Sequence, residues 1–207
     1  MAGSVTVFGG AGFIRRHLVP LLLRSGATAR LAVRHPRRVQ VTTELPQAAE
    51  LIQADVLDDV AVAGAVAGTD AVVNLVGILT ETTSQTYRAI HVDGARRVAL
   101  AAQRHGVTRL VHISALGSSL TSPAISNRTK AEGEQAVRTI FPQATIVRPS
   151  LVFGEDDHFF SRFTGMIRSS PVLPLIGGGT TKFQPVFVGD MTTGLLATLP
   201  VVRAVEP

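Results

Sequence analysis

Three glycines in Phe8-Gly9-Gly10-Ala11-Gly12-Phe13-Ile14 close a short β-branched run and open a stretch with leucines on one face. A strand that ends in such a turn and feeds a helix lets the backbone approach a phosphate. The free N–H groups and the positive end of the helix then bind the anion. Gly9, Gly10, Ala11, Gly12, Phe13 and Ile14 are therefore expected to hold the pyrophosphate of a dinucleotide. Where the spacing asks for a third glycine, the chain carries Arg15, followed by Arg16. Glycine there permits close packing of helix on strand; arginine requires the helix to shift or the side chain to run out along the surface. Arg15 either weakens the site or, like Arg16, adds a charge-assisted contact to the pyrophosphate, against a purely structural or solvated role.

About twenty residues past such a loop, an acid would hold the adenosine ribose of NAD. This chain has Arg34 there, with His35, Arg37 and Arg38 following. A guanidinium matches a 2′-phosphate, so the expected cofactor is NADP(H) in preference to NAD(H). Asp55 and Val56 follow the third apolar run, at the depth of an adenine, and Leu75, Val76 and Gly77 follow the fourth, beside the ribose path. Asp55 has the alternative of capping the helix that begins near Asp58.

These residues need a frame. Val5–Phe8, Ala29–Val33, Leu51–Ala54, Ala71–Asn74, Leu110–Ser114 and Thr145–Val147 read as strands without polar alternation, the pattern of a parallel sheet covered on both faces. Helical patterns lie between them, from Gly12 to Arg24, Asp58 to Val66, Tyr87 to Arg104 and Arg128 to Ile140. Gly26, Gly68 and Gly106 fall just past three of these, where left-handed caps belong. The sum is an α/β, doubly wound parallel sheet of the Rossmann type. After Pro149 come Phe159 to Ile167, a Pro/Gly-rich stretch from Pro171 to Gly179, and a strand and helix between Phe183 and Leu199. The expected division is a dinucleotide-binding domain over residues 1–150 and a shortened substrate region over 151–207 packed on it.

Composition narrows the function classes. The 207 residues include no cysteine, which excludes disulfides, thiolate metal sites and cysteine nucleophiles. The histidines show no metal-ligand spacing, so no metal site is expected. The net charge of +5 comes with a single tyrosine and few interleaved aromatics, which argues against nucleic acid as a partner. No apolar run reaches the roughly 18 residues of a membrane span. The expected location is cytoplasmic.

Further phrases carry a resemblance. Val92-Asp93-Gly94, Val111-His112-Ile113-Ser114, Lys130-Ala131-Glu132-Gly133-Glu134 and Arg148-Pro149-Ser150-Leu151-Val152-Phe153-Gly154 join the glycine turn and Asp55-Val56. Together they resemble the short-chain dehydrogenase/reductase superfamily in its extended or atypical branch. Within it, Asn74-Leu75-Val76-Gly77-Ile78-Leu79, Pro174-Leu175-Ile176-Gly177-Gly178-Gly179 and Phe183 to Asp190 are similar to the nucleotide-binding accessory subunits of respiratory complex I and their bacterial relatives.

The resemblance implies a catalytic serine at Ser114 and a lysine at Lys130, both also touching the cofactor, with Pro149 and Ser150 running past the nicotinamide carboxamide. It also implies a tyrosine four residues before the lysine, and that position is Ser126. A tyrosine beside a lysine ammonium can exchange protons near neutrality, whereas a serine hydroxyl is far too weak an acid. Tyr87 belongs to the middle helix, where packing is its expected role. The implied function is a non-catalytic NADP(H)-binding protein with an accessory or assembly role at NADH:ubiquinone oxidoreductase. Its partners would be a nicotinamide dinucleotide and a respiratory membrane complex. It would lie peripherally on the inner face of the membrane, or in the matrix of a mitochondrion. The alternative is an NADP-dependent reductase, epimerase or dehydratase acting on a small molecule.

Overall fold

Apolar runs without polar alternation cannot turn one face to water, and here they are covered on both. The computed structural model describes residues 3–9, 12–36, 49–155, 157, 180 and 182–199. Within them, β1 (Ser4–Phe8), β2 (Thr28–Val33), β3 (Ala49–Gln53), β4 (Ala71–Asn74), β5 (Arg109–Ile113) and β6 (Thr145–Val147) form a parallel sheet in the order β3-β2-β1-β4-β5-β6. Helices α1 (Phe13–Arg24), α2 (Asp59–Val66), α3 (Ala95–Arg104), α4 (Ile125–Ile140) and α5 (Val188–Ala197) flank it. A π-helical segment, Arg88–Gly94, runs into α3, and β7 (Val152–Phe153) pairs with β8 (Val186–Phe187) next to α5. This is the doubly wound α/β architecture expected from the sequence.

Successive strand residues point to opposite faces, so each strand feeds two cores. Val5 and Val7 join Leu18, Val19 and Leu22 of α1, together with Met191 and Leu195 of α5. Phe8 packs on the other side with Val62, Val98 and Leu110. Thr6 shares that side although it is polar, because its hydroxyl donates to the Ala65 carbonyl at 2.9 Å. A sheet sealed in this way offers a ligand only its ends. The carboxyl ends part where the strand order reverses, between β1 and β4.

Several boundaries differ from the sequence reading. Gln53 ends β3 and Ile113 ends β5, which leaves Ala54 and Ser114 just past their strands. Helix α4 starts at Ile125 rather than Arg128, with Ala124 at its cap and no side-chain cap bond, so Ser126 lies in its first turn. The cap of α2 is Asp58, whose carboxylate accepts from Val60 and Ala61 N–H at 2.9 and 3.1 Å. Asp55 is not that cap; its carboxylate accepts from Leu57 N–H at 3.0 Å. Gly26, Gly68 and Gly106 take φ of 85°, 69° and 66°, the left-handed caps expected of them. Gly10, Ala11, Arg37, Arg38 and the stretches from Phe159 to Ile167 and Pro171 to Gly179 lie outside the described residues.

The expected single helix from Tyr87 to Arg104 opens with the wider π turns, and α4 lies close against them. A Cβ on Gly133 would collide with the His91 carbonyl, while one on Gly64 in α2 would meet nothing within 4 Å. Gly133→Ala is expected to cost about 1–3 kcal/mol by overpacking. Gly64→Ala should add about 0.5–1 kcal/mol through helix propensity. Urea unfolding of the two variants checks both signs, and an undiminished stability of Gly133→Ala would contradict the close approach.

Candidate functional site

At the reversal, the Phe8 carbonyl accepts Leu75 N–H at 3.0 Å, and Gly9 turns the chain with φ +84°. A Cβ on Gly9 would stand 3.1 Å from the Leu75 carbonyl carbon, so the turn demands glycine twice over. Gly12 donates to the Gly9 carbonyl at 3.0 Å and caps α1. The first turn of α1 has no side-chain cap and no acidic residue, which leaves its positive end for an anion.

A cavity of about 310 Å³ opens there, lined by Gly9, Gly12, Arg34, Val56, Leu75, Val76 and Gly77 and closed by Ile78, Gln85 and Ile90. A second, of about 470 Å³, meets it at Arg34 and is lined also by His35, Asp55 and Asp58. Phe13 and Ile14 lie half-buried in the first turn of α1. The structure thus brings eight of the expected dinucleotide contacts, Gly9, Gly12, Arg34, Asp55, Val56, Leu75, Val76 and Gly77, to one groove. Pro149 and Ser150 are not among its lining residues. They line a separate cavity of about 580 Å³ with Leu116, Pro185 and Met191, because the chain leaving the edge strand β6 turns toward β8, where Val186 N–H bonds to the Leu151 carbonyl at 2.9 Å. Of the alternatives open to Arg15, the surface course is not taken: the residue is buried on α1, only 7% exposed.

A buried polar network floors the groove. A Cβ on Gly77 would be 3.4 Å from Lys130 Nζ and 3.9 Å from His91 Nε2, so both side chains converge beneath that glycine. His91 Nε2 accepts from Ile78 N–H at 3.3 Å, which assigns the ring proton to Nδ1, 3.1 Å from Thr129 Oγ1. The Thr129 hydroxyl itself donates to the carbonyls of Ile125 and Ser126. Tyr87 stacks on His91 at 5.4 Å and donates its hydroxyl to the Leu79 carbonyl, the packing role expected of it. Asn74 accepts Val76 N–H on Oδ1 and donates to His112 Nδ1 at 3.2 Å, tying the groove backbone to a second buried histidine. Ser114 bonds to Ser118 at 3.1 Å and to Glu134, whose carboxylate takes a two-pronged bond from Arg148 at 2.8 and 2.6 Å. Ser126 stands one helical turn before Lys130, so no phenol accompanies the lysine.

Burial, with the Lys130 charge second, pushes His91 and His112 down to about 4, so both are neutral at pH 7. Burial lowers Lys130, and Glu134 partly restores it. Burial would raise Glu134, but the bonds from Arg148 and Ser114 outweigh it and hold the carboxyl below its ordinary value.

Fold and groove together define a Rossmann protein of the short-chain dehydrogenase/reductase kind with a site for a nicotinamide dinucleotide. A family profile described as NAD(P)H-binding matches residues 9–158, and the chain belongs to that family. Among its relatives is the mitochondrial NADH dehydrogenase [ubiquinone] 1 alpha subcomplex subunit 9 of Arabidopsis thaliana, 35% identical over 94% of this chain and 49% of the relative. The mitochondrial NADH-ubiquinone oxidoreductase 40 kDa subunit of Neurospora crassa is 32% identical over 93% of this chain and 51% of its own length. A ceramide reductase of Caulobacter vibrioides is 31% identical over 99% of this chain and 64% of its own. The chain spans about half the length of the curated respiratory relatives it matches. Among solved structures, the fold matches a dTDP-glucose 4,6-dehydratase from Streptomyces venezuelae with NAD bound, at TM-score 0.76 and 21% identity over 92% of this chain and 70% of that one. It also matches a UDP-glucose 4-epimerase from Thermotoga maritima, at TM-score 0.76 and 18% identity over 94% and 72%.

The neutral histidines give stability a pH dependence of known sign. Between the unfolded value of 6.5 and the folded value of about 4, the unfolded chain binds protons that the folded one does not. Their contribution is complete above that window and is lost as pH falls through it, at up to about 1.4 kcal/mol per pH unit for each ring. Urea unfolding at several pH values should show this slope, and His112→Asn should make it shallower. A flat profile would contradict two buried neutral imidazoles.

Proposed function

We propose that the protein binds NADP(H) in preference to NAD(H) and holds it without turnover, as an accessory or assembly component of a respiratory NADH:ubiquinone oxidoreductase. The observation that carries this reading is the contrast at α4: Lys130 reaches the groove floor at Gly77, while Ser126 stands where the proton-transferring phenol would be. Gly9, Gly12, Leu75, Val76 and Gly77 still line the groove, and the group that exchanges a proton is replaced. NADP(H) is supported by Arg34, which lies at the junction of the two cavities and offers a guanidinium to a 2′-phosphate. The respiratory assignment is supported by the relatives named as complex I subunits. It places the protein beside a respiratory membrane, on the cytoplasmic face in a bacterium or in the matrix of a mitochondrion. No helix among the described residues is long and apolar enough to cross that membrane. In this reading, residues 1–150 carry the cofactor and 151–207 form an extension held through α5 on α1.

The retained Ser114 and Lys130, with the relative named as a ceramide reductase, favour a second reading as a reductase whose proton comes from another group. One set of measurements separates the two. Calorimetric titration should give a dissociation constant at least about tenfold lower for NADPH than for NADH, the effect of one charge-assisted contact, and Arg34→Ala should erase the difference. Tighter NADH binding would sink the preference. NADPH incubated with quinone and carbonyl acceptors should keep its reduced-nicotinamide absorbance; sustained loss of it would establish the enzyme reading.

A further inference from the structure

We infer that Gly94, the last residue of the π segment, is a positioning residue for the dinucleotide: because it has no side chain, Val56 can stand back from the groove. The inference rests on the dinucleotide reading of the groove and adds to it a residue that acts through a neighbour. Backbone conformation does not explain this glycine. Its φ of −62° and ψ of −46° are helical angles that any residue adopts, and in a helix alanine is the more favourable choice. Space does explain it. A Cβ at this position would stand 2.9 Å from Val56 Cγ2 and 3.2 Å from Val56 Cβ, closer than packed carbon atoms come.

Neither backbone is free to move away from this contact. Val56 lies in a turn where Asp55 accepts twice, its carbonyl from Asp58 N–H and its carboxylate from Leu57 N–H, both at 3.0 Å. Just before that turn, Ala54 N–H donates to the Val33 carbonyl of β2 at 2.9 Å. The π segment is held as well, because α4 packs against it through the close approach at Gly133.

A methyl group at position 94 must therefore displace the Val56 side chain. Val56 is β-branched, with few rotamers to choose from, and it is buried among Val62, Ile90 and Val98. The open space beside it is the cavity of about 310 Å³, which Val56 lines together with Ala54 and Ile90. A close-packed interior yields where there is room, so the displaced methyls enter the groove. Arg34 lines the same cavity, which under the NADP(H) reading puts this apolar wall at the adenosine end of the ligand.

The test titrates the full chain with NADPH and with ADP, at a temperature where circular dichroism shows the variants folded. Gly94→Ala should weaken both ligands about tenfold or more, the effect of overpacking that reaches the groove wall. Val56→Ala removes the two methyls nearest the new Cβ. The double variant Gly94→Ala/Val56→Ala should therefore bind both ligands within about threefold of Val56→Ala alone. A glycine needed only for packing would lower the melting temperature of Gly94→Ala and leave its dissociation constants in place, and that result would overturn the inference while leaving the dinucleotide reading intact. A double variant that binds tenfold less than Val56→Ala, or does not fold, would overturn it too. That comparison decides the matter even if Gly94→Ala alone fails to fold. Failure of the unchanged protein to bind either ligand would overturn the dinucleotide reading along with the inference.

Discussion

The contact between the end of β1 and the start of the segment after β4 is the constraint on which the rest depends. Phe8 is the last residue of its strand, and its carbonyl bonds to Leu75 N–H before Gly9 turns away at positive φ. That bond keeps β1 and β4 together one residue beyond their last paired positions, Phe8 and Asn74. The turn then delivers Gly12 to the head of α1, and α1 crosses to the face where Val5, Val7 and Val73 are buried. Groove, helix end and one of the two cores therefore share a single backbone path. A side chain at Gly9 would disturb all three at once, which is why the position tolerates so little.

Beneath the groove, polarity is arranged at the expense of charge. His91 and His112 are buried and neutral, and each steadies the groove backbone, His91 at Ile78 and His112 through Asn74, which holds Val76. Lys130 is the cation in their midst, and Glu134 moderates its burial while being held by Arg148. The hydrogen bonds rigidify the floor because a loosened member would leave a buried polar atom unpaired. Gly133 serves the same end mechanically, since it lets α4 approach the π turns that carry His91.

The sheet was legible because its runs are buried on both faces and need no partner to reveal them. The three capping glycines marked helix ends for the same local reason. The start of α4 was not legible, because Ala124 offers no capping side chain and Ser126 and Asn127 look like loop. Nor was the π segment, against which a helix distant in sequence packs closely. Gly9, Gly12 and the residues just after β2, β3 and β4 line one groove, as their places at the strand ends implied. Pro149 and Ser150 were displaced from it by the path of the chain beyond β6, which no spacing encodes. The Glu134–Arg148 and Asn74–His112 pairs are long-range contacts, and only the polar residues inside otherwise apolar strand ends hinted at them.

The same physics explains why loss of one group need not empty the site. A phenol beside Lys130 would stabilise nothing in the fold that Ser126 leaves undone, since the Ser126 carbonyl, not its side chain, takes the Thr129 hydroxyl. The phenol's contribution is to proton transfer, and its removal is silent in packing. The glycine turn, Lys130 and the neutral histidines are different, because each also holds backbone or buried charge in place. Under the proposed reading, these groups persist for binding and stability together, while acid–base chemistry, which leaned on no structural contact, is the part that can be given up. Substituting the dispensable group while keeping the coupled ones leaves a protein able to hold a dinucleotide as an anchor.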